Sequence, residues 1–138
     1  MIDELNVYTD GGSRGNPGMS AIGVLICGKD GKILKQHSEF LGRGTNNTAE
    51  YTALIKALKI AGKLSGGIIN CFSDSQLMVR QLTGMYKVKN YSLKKLFLEV
   101  KDLEKKFEEV NYIHVNRENK KITIVDKLVN EMLDTIKK

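Results

Sequence analysis

The spacing of apolar side chains changes period partway along this chain, and the order of the two periods narrows the architecture more than any single residue does. Leu5, Val7 and Thr9 alternate with Asn6, Tyr8 and Asp10, which places the two sets on opposite faces of a strand over Leu5 to Tyr8. Met19 to Cys27 and Lys32 to Leu41 read as two further strands, and the intervening Gly28-Lys29-Asp30-Gly31 makes them an antiparallel hairpin. From Leu54 the repeat becomes helical, through Ala57, Leu58, Ala61 and Leu64, until Gly66-Gly67 stops it. Ile68 to Phe72 is a short buried strand, and Ser75 to Leu82 a short helix ending near Gly84. A longer helix carries Leu93, Leu96, Phe97, Val100, Leu103 and Phe107, before Val110 to Val115 returns to strand. Val125, Leu128, Val129, Met132, Leu133 and Ile136 make a last amphipathic helix. This order predicts an α/β fold: a five-stranded mixed sheet with an antiparallel three-strand start and helices packed on it. Helical crossovers put the fourth strand parallel to the first, and ligand sites favour such strand ends.

The 138 residues, 41% of them hydrophobic, suit one domain spanning 1–138. Apolar runs such as Ala21 to Cys27 are too short to span a bilayer, and the N-terminus lacks a signal-type segment, so the expectation is a cytoplasmic protein with no membrane contact. Cys27 and Cys71 fall within predicted strands without metal-site spacing and read as buried thiols in a reducing compartment. The net charge of +6 permits a polyanionic partner without demanding one.

Four carboxylates stand at element edges. Asp10 ends the first strand and is followed by Gly11-Gly12, which also reads as a hairpin turn. Asp74 follows the fourth strand, where it or Ser73 suits capping of the next helix. Glu50 lies three residues after Asn47 in a pattern like a capping box, and Asp126 sits in the first turn of the last helix, where the helix dipole favours an acid. Each acid alone has a structural explanation. Together they fall at element edges and never on an apolar face, and carboxylates that converge repel unless cations neutralise them. Hard oxygen ligands of this kind suit Mg²⁺ or Mn²⁺, and a cluster of them can hold two ions for attack on a phosphodiester.

Four motifs in order resemble the type 1 ribonuclease H family: Tyr8-Thr9-Asp10-Gly11-Gly12 with Gly15-Asn16-Pro17-Gly18, Thr45-Asn46-Asn47-Thr48-Ala49-Glu50, Ser73-Asp74-Ser75-Gln76, and Val125-Asp126-Lys127-Leu128-Val129-Asn130. The resemblance implies a ribonuclease H-like fold and endonucleolytic cleavage of the RNA strand of an RNA·DNA hybrid, leaving a 5′-phosphate and a 3′-hydroxyl. It implies that Asp10, Glu50, Asp74 and Asp126 are catalytic ligands of two Mg²⁺ ions about 4 Å apart, with Mn²⁺ as an alternative. Gly11, Gly12, Asn16, Asn46, Asn47, Ser75 and Gln76 would then line the hybrid, with Arg43 and Thr45 near a DNA phosphate. Amides suit 2′-hydroxyls and minor-groove edges, and arginine suits phosphate, so recognition would follow shape and sugar. As loop residues the same amides also read as turn formers. Double-stranded RNA stays open as a second substrate, and a monomer is expected.

The chain departs from the family pattern in two places. Arg117-Glu118-Asn119 is followed by Lys120 to Val125 before Asp126, a lengthened approach to the last acid. Some relatives carry a histidine or glutamate there that helps product release; Glu118 is the acidic stand-in, and His114, within the predicted strand, reads as a packed or paired structural residue. Met85 to Tyr91 runs into the next helix without the basic protrusion some relatives use, so a compact form is expected, also without a separate hybrid-binding domain. Lys87 and Lys89 flanking Val88 could contact the DNA backbone in its place, or form a solvated loop with Tyr86 as a packing anchor. Two other functions fit the same residues: a non-catalytic hybrid-binding module that has lost a ligand through the lengthened loop, and a transposase- or resolvase-like nuclease.

Overall fold

The computed structural model describes residues 2–136. Five strands, β1 (Glu4–Gly15), β2 (Gly18–Gly28), β3 (Ile33–Gly44), β4 (Ile68–Ser73) and β5 (Glu109–His114), form one sheet in the order β3-β2-β1-β4-β5. β1, β2 and β3 pair antiparallel, and β4 pairs parallel with both β1 and β5. Four helices, α1 (Asn46–Gly62), α2 (Gln76–Leu82), α3 (Tyr91–Glu104) and α4 (Lys120–Ile136), complete the architecture expected from the apolar periods.

The run Ala21 to Cys27 is fully apolar in sequence because β2 is covered on both sides. Val24 and Ile26 join Leu5, Val7, Leu54 and Leu58 in the larger core beneath α1 and α3. The alternating Leu25 and Cys27 instead pack with Ile122 and Val125 of α4. α1 and α4 therefore grip the centre of the sheet from opposite faces, and both cysteines lie buried as free thiols.

Two glycines let the helices approach closely. A Cβ on Gly11 would stand 2.4 Å from the carbonyl of Ala49 in α1, and one on Gly23 would stand 2.7 Å from the carbonyl oxygen of Val125 in α4. Gly23 pairs directly across from Asp10. The backbones on either side of β1–β2 are thus seated around the position of the first acid.

Several element edges differ from expectation. β1 does not stop and turn at Asp10-Gly11-Gly12; its ladder with β2 runs on to Gly15 opposite Gly18, and the turn is made by Asn16-Pro17. The parallel ladder with β4 does end earlier, at Tyr8 opposite Phe72, so Asp10 stands where β1 outruns its parallel neighbour. α1 is capped by Thr45 with Thr48 rather than Asn47 with Glu50, and α2 by Ser75 rather than Asp74 or Ser73. α1 ends at Gly62, before Gly66-Gly67, and α3 ends at Glu104, leaving Phe107 buried beyond it. The lengthened segment before Asp126 is helix: α4 begins at Lys120, with Asn119 Oδ1 accepting from the Lys121 and Ile122 amides. Asp126 therefore lies well inside α4, and burial of Ile122 explains why the extension winds up rather than loops out.

Replacing Gly23 with alanine forces Val125 away from β2 and should cost about 1–3 kcal/mol of stability, as overpacking at a close backbone contact does. Urea unfolding of Gly23→Ala against the parent measures it; an unchanged midpoint contradicts the seating described here.

Candidate active site

The capping pattern frees the acids from the structural roles that each could have filled. Thr45 Oγ1 accepts from the Thr48 amide at 3.1 Å, and Ser75 Oγ from the Met78 amide at 3.3 Å. Glu50 instead turns toward β1, where its Oε1 accepts from the Gly11 amide at 3.2 Å. The absence of a side chain on Gly11 is what admits that contact, because the α1 backbone occupies the space a Cβ would need.

One carboxylate oxygen from each of Asp10, Glu50 and Asp74 lies within 4.8 Å of the others. Asp126, from α4, lines the same cleft, and its charge adds to those that raise the Asp10 carboxyl. Four elements thus each contribute one acid: β1, α1, the β4–α2 junction and α4. They line a cleft of about 250 Å³ together with Gly11, Gly12, Ser13, Arg14, Asn46, Arg117 and Asn130.

Crowding these acids changes their affinity for protons. Burial first, then the charges of Asp74 and Asp126, push the Asp10 carboxyl up to about 8, against a smaller opposing contribution from the Gly11 amide. Burial and the neighbouring Asp10 and Asp74 hold Glu50 well above the usual carboxylate range. Asp74 is raised by burial, although Arg117, its own amide and His114 partly offset this. An all-oxygen donor set that cannot shed its charge at neutral pH without binding protons fits a divalent cation, which would replace those protons.

The sequence-derived substrate residues divide into two groups. Asn16 and Asn46 are joined: Asn16 Oδ1 accepts from the Asn46 amide at 3.1 Å, and Asn46 Oδ1 accepts from the Ser13 amide at 2.8 Å. With both carbonyl ends engaged by backbone, the Nδ2 groups are the donors a ligand would meet. Asn46, Gly11 and Gly12 line the cleft itself. Asn47 and Gln76 are exposed in the first turns of α1 and α2, Arg43 is exposed near the end of β3, and the Thr45 and Ser75 side chains are committed to caps. Lys87 and Lys89 are exposed in the α2–α3 connection and are not among the residues lining the acidic cleft. Tyr86 there is no packing anchor: it is 44% exposed, and its hydroxyl accepts from Arg80 Nη1 at 2.6 Å. Glu118 lines an adjoining cavity of about 200 Å³ with Asp74, Arg117, Ile122 and Asp126. His114 is exposed rather than packed, because β5 is an edge strand and its last residue emerges beside Ser73.

Arg14, Arg117 and Asn130 in the cleft were not singled out from sequence. Arg117 stands near enough to Asp74 to lower its proton affinity. Arg14 and Asn130 meet across the cleft mouth, with Arg14 Nη2 donating to Asn130 Oδ1 at 3.4 Å and to its carbonyl oxygen at 3.3 Å. Asp126, Asn130 and Asp134 recur every four residues, the helical signal that would have placed them on one stripe.

Comparison with known proteins places this geometry. A reverse transcriptase-like family profile matches residues 8–132. Ribonuclease HI of Halobacterium salinarum is 38% identical over 130 residues, which is 94% of this chain and 64% of that protein. A protein of Mycobacterium tuberculosis described as bifunctional is 38% identical over 93% of this chain but only 35% of its own length. Among solved structures, RNase H1 of H. salinarum superposes with a TM-score of 0.91 at 37% identity, covering 96% of this chain and 98% of that one. LC11-RNase H1, solved in complex with an RNA/DNA hybrid, gives 0.90 at 38% identity, with the same coverage. The chain therefore belongs to the reverse transcriptase-like family, as a ribonuclease H-like domain of type 1.

The raised carboxyls set the pH dependence of the metal-free protein. A carboxyl whose affinity for protons is higher folded than unfolded favours the folded state below its unfolded value, near 3.8 for Asp10, and loses that benefit as pH rises through about 8. Stability of the metal-free protein should therefore fall between those limits. Asp10→Asn should remove much of the loss, raising stability at pH 8 by at least about 1 kcal/mol while changing little at pH 4. Thermal melts in chelator at the two pH values check this.

Proposed function

We propose that this chain is a metal-dependent endoribonuclease that cuts the RNA strand of RNA·DNA hybrids and leaves 5′-phosphate and 3′-hydroxyl ends, with residues 1–138 acting as a single catalytic domain. The convergence of three carboxylates, Asp10, Glu50 and Asp74, in a cleft that Asp126 also lines carries this reading, since capping leaves those three unexplained. The hybrid bound to LC11-RNase H1 supports the substrate class.

In this reading Asp10, Glu50, Asp74 and Asp126 hold two Mg²⁺ ions, or Mn²⁺ in their place. Bound there, the ions would neutralise charge at the scissile phosphate, activate a water and stabilise the leaving 3′-oxygen. The chain's own contribution is alignment. Gly12 keeps the floor of the cleft open to a sugar-phosphate backbone, and Gly11 lines it with backbone alone. Asn16 and Asn46, held by backbone amides, present Nδ2 donors suited to 2′-hydroxyls and to minor-groove acceptors, a distinction between RNA and DNA. Asn47, Ser75 and Gln76 extend that surface. Arg43 takes a phosphate of the DNA strand, Thr45, whose oxygen caps α1, adds its hydroxyl hydrogen there, and Lys87 and Lys89 add backbone contacts outside the cleft. Glu118, beside Asp74 and Asp126, is placed to help product leave. Double-stranded RNA, which also offers 2′-hydroxyls, is a secondary substrate to test. Every acid of the cluster comes from one chain, which supports a monomer, and the two buried thiols support a reducing, cytoplasmic setting. Among the described residues no helix is long and apolar enough to cross a membrane.

Labelled RNA·DNA hybrid incubated with Mg²⁺ or Mn²⁺ should yield 5′-phosphorylated RNA fragments, and absence of product with either ion at adequate enzyme overturns the proposal. Asp10→Asn should abolish turnover and leave hybrid binding largely intact. Replacing Lys87 and Lys89 together by alanine should flatten the dependence of log binding constant on log salt by about 1–2, since each phosphate contact contributes close to one unit of slope. Fluorescence anisotropy at several salt concentrations measures it.

A further inference from the structure

Asp126 differs from the other three acids in how it is held. Glu50 is fixed by the Gly11 amide, Asp10 is buried and Asp74 half-buried, whereas Asp126 is exposed on α4. The side chain that restrains it is Asn130, one turn further along, whose Nδ2 donates to the Asp126 carbonyl oxygen at 3.0 Å and to its Oδ2 at 3.4 Å. An amide can present either end, however, and Oδ1 turned toward a carboxylate would repel it. Arg14 decides which end faces Asp126. Its Nη2 donates to Asn130 Oδ1 and to the Asn130 carbonyl oxygen, while its Nη1 pairs with Asp134 Oδ1 at 2.7 Å. The planar fork therefore spans the stripe from Asn130 to Asp134 and leaves only the Nδ2 end for the ligand.

From these contacts we infer that Arg14 is a positioning residue for the metal site: anchored on Asp134, it sets the orientation of the Asn130 amide and so aims the Asp126 carboxylate at the cluster. Arg14 lies on β1 four residues beyond Asp10, so the same strand supplies one acid of the cluster directly and orients another at second hand. Groups one shell behind a ligand commonly change metal affinity or activity by about 10–100-fold. The inference rests on the metal-binding role proposed for the four acids, but it is separable from hybrid cleavage.

The test is calorimetric titration of Mn²⁺ and Mg²⁺ into the protein without nucleic acid, for the parent, Arg14→Ala, Asn130→Ala, the double variant and Asp126→Asn. Arg14→Ala and Asn130→Ala should each weaken binding by about tenfold, and the double variant should be no worse than the weaker single one. Adding Arg14→Ala to Asp126→Asn should change nothing further. Arg14→Lys, a point donor that cannot span both partners, should rescue only in part. Metal affinity equal to the parent's in Arg14→Ala overturns the inference, whether the variant shows a raised KM for hybrid, which would make Arg14 a substrate contact, or only a lowered melting temperature, which would make it a structural tie. Additive losses in the double variant also overturn it. A parent that binds metal but never cuts hybrid refutes the proposed activity and leaves the Arg14 result to stand on its own.

Discussion

Close backbone packing from both sides of β1–β2 is the constraint on which the remaining structure depends. Gly11 gives α1 access to one face, Gly23 gives α4 access to the other, and Asp10 lies between them in the ladder. Each helix arrives with its own acid near the contact: Glu50 follows Ala49, and Asp126 follows Val125. Seating the helices and assembling the cluster are therefore one event, which ties the site's geometry to core packing rather than to loop conformation.

That arrangement opposes stability with function. Bringing carboxylates together beside a buried strand raises their proton affinity, and the core must hold them there. The holding force comes from the doubly covered β2 strand and from Val125, Val129 and Ile122 of α4, all buried. Arg117 and His114, at the β5 end, offset part of the rise at Asp74.

Much of this was legible in the sequence because apolar period reports burial directly. The switch from strand to helical spacing gave the element order, and the four acids stood out because none lay on an apolar face. Edges were less legible, since they depend on which backbone groups find partners. The β1–β2 ladder continued past Asp10 because Gly11 and Gly12 pair as ordinary strand residues opposite Ile22 and Ala21, a choice that turn propensity alone does not reveal. The residues between Glu118 and Asp126 read as a lengthened loop, yet two buried side chains, Ile122 and Val125, and the Asn119 cap make them helical. Arg14 went unnoticed because its partners lie more than a hundred residues away, a relation that no local pattern carries.

The helical extension before Asp126 has a mechanical consequence. An acid on a loop moves when the loop breathes, whereas an acid well inside a seventeen-residue helix moves only if the whole rod slides or rolls. The seat of that rod is set at Gly23, not at its N-terminus, so the short connection from Val115 to Asn119 is insulated from the acid it precedes. Length and composition there can drift, reshaping the cavity beside Glu118, without changing where the last carboxylate points.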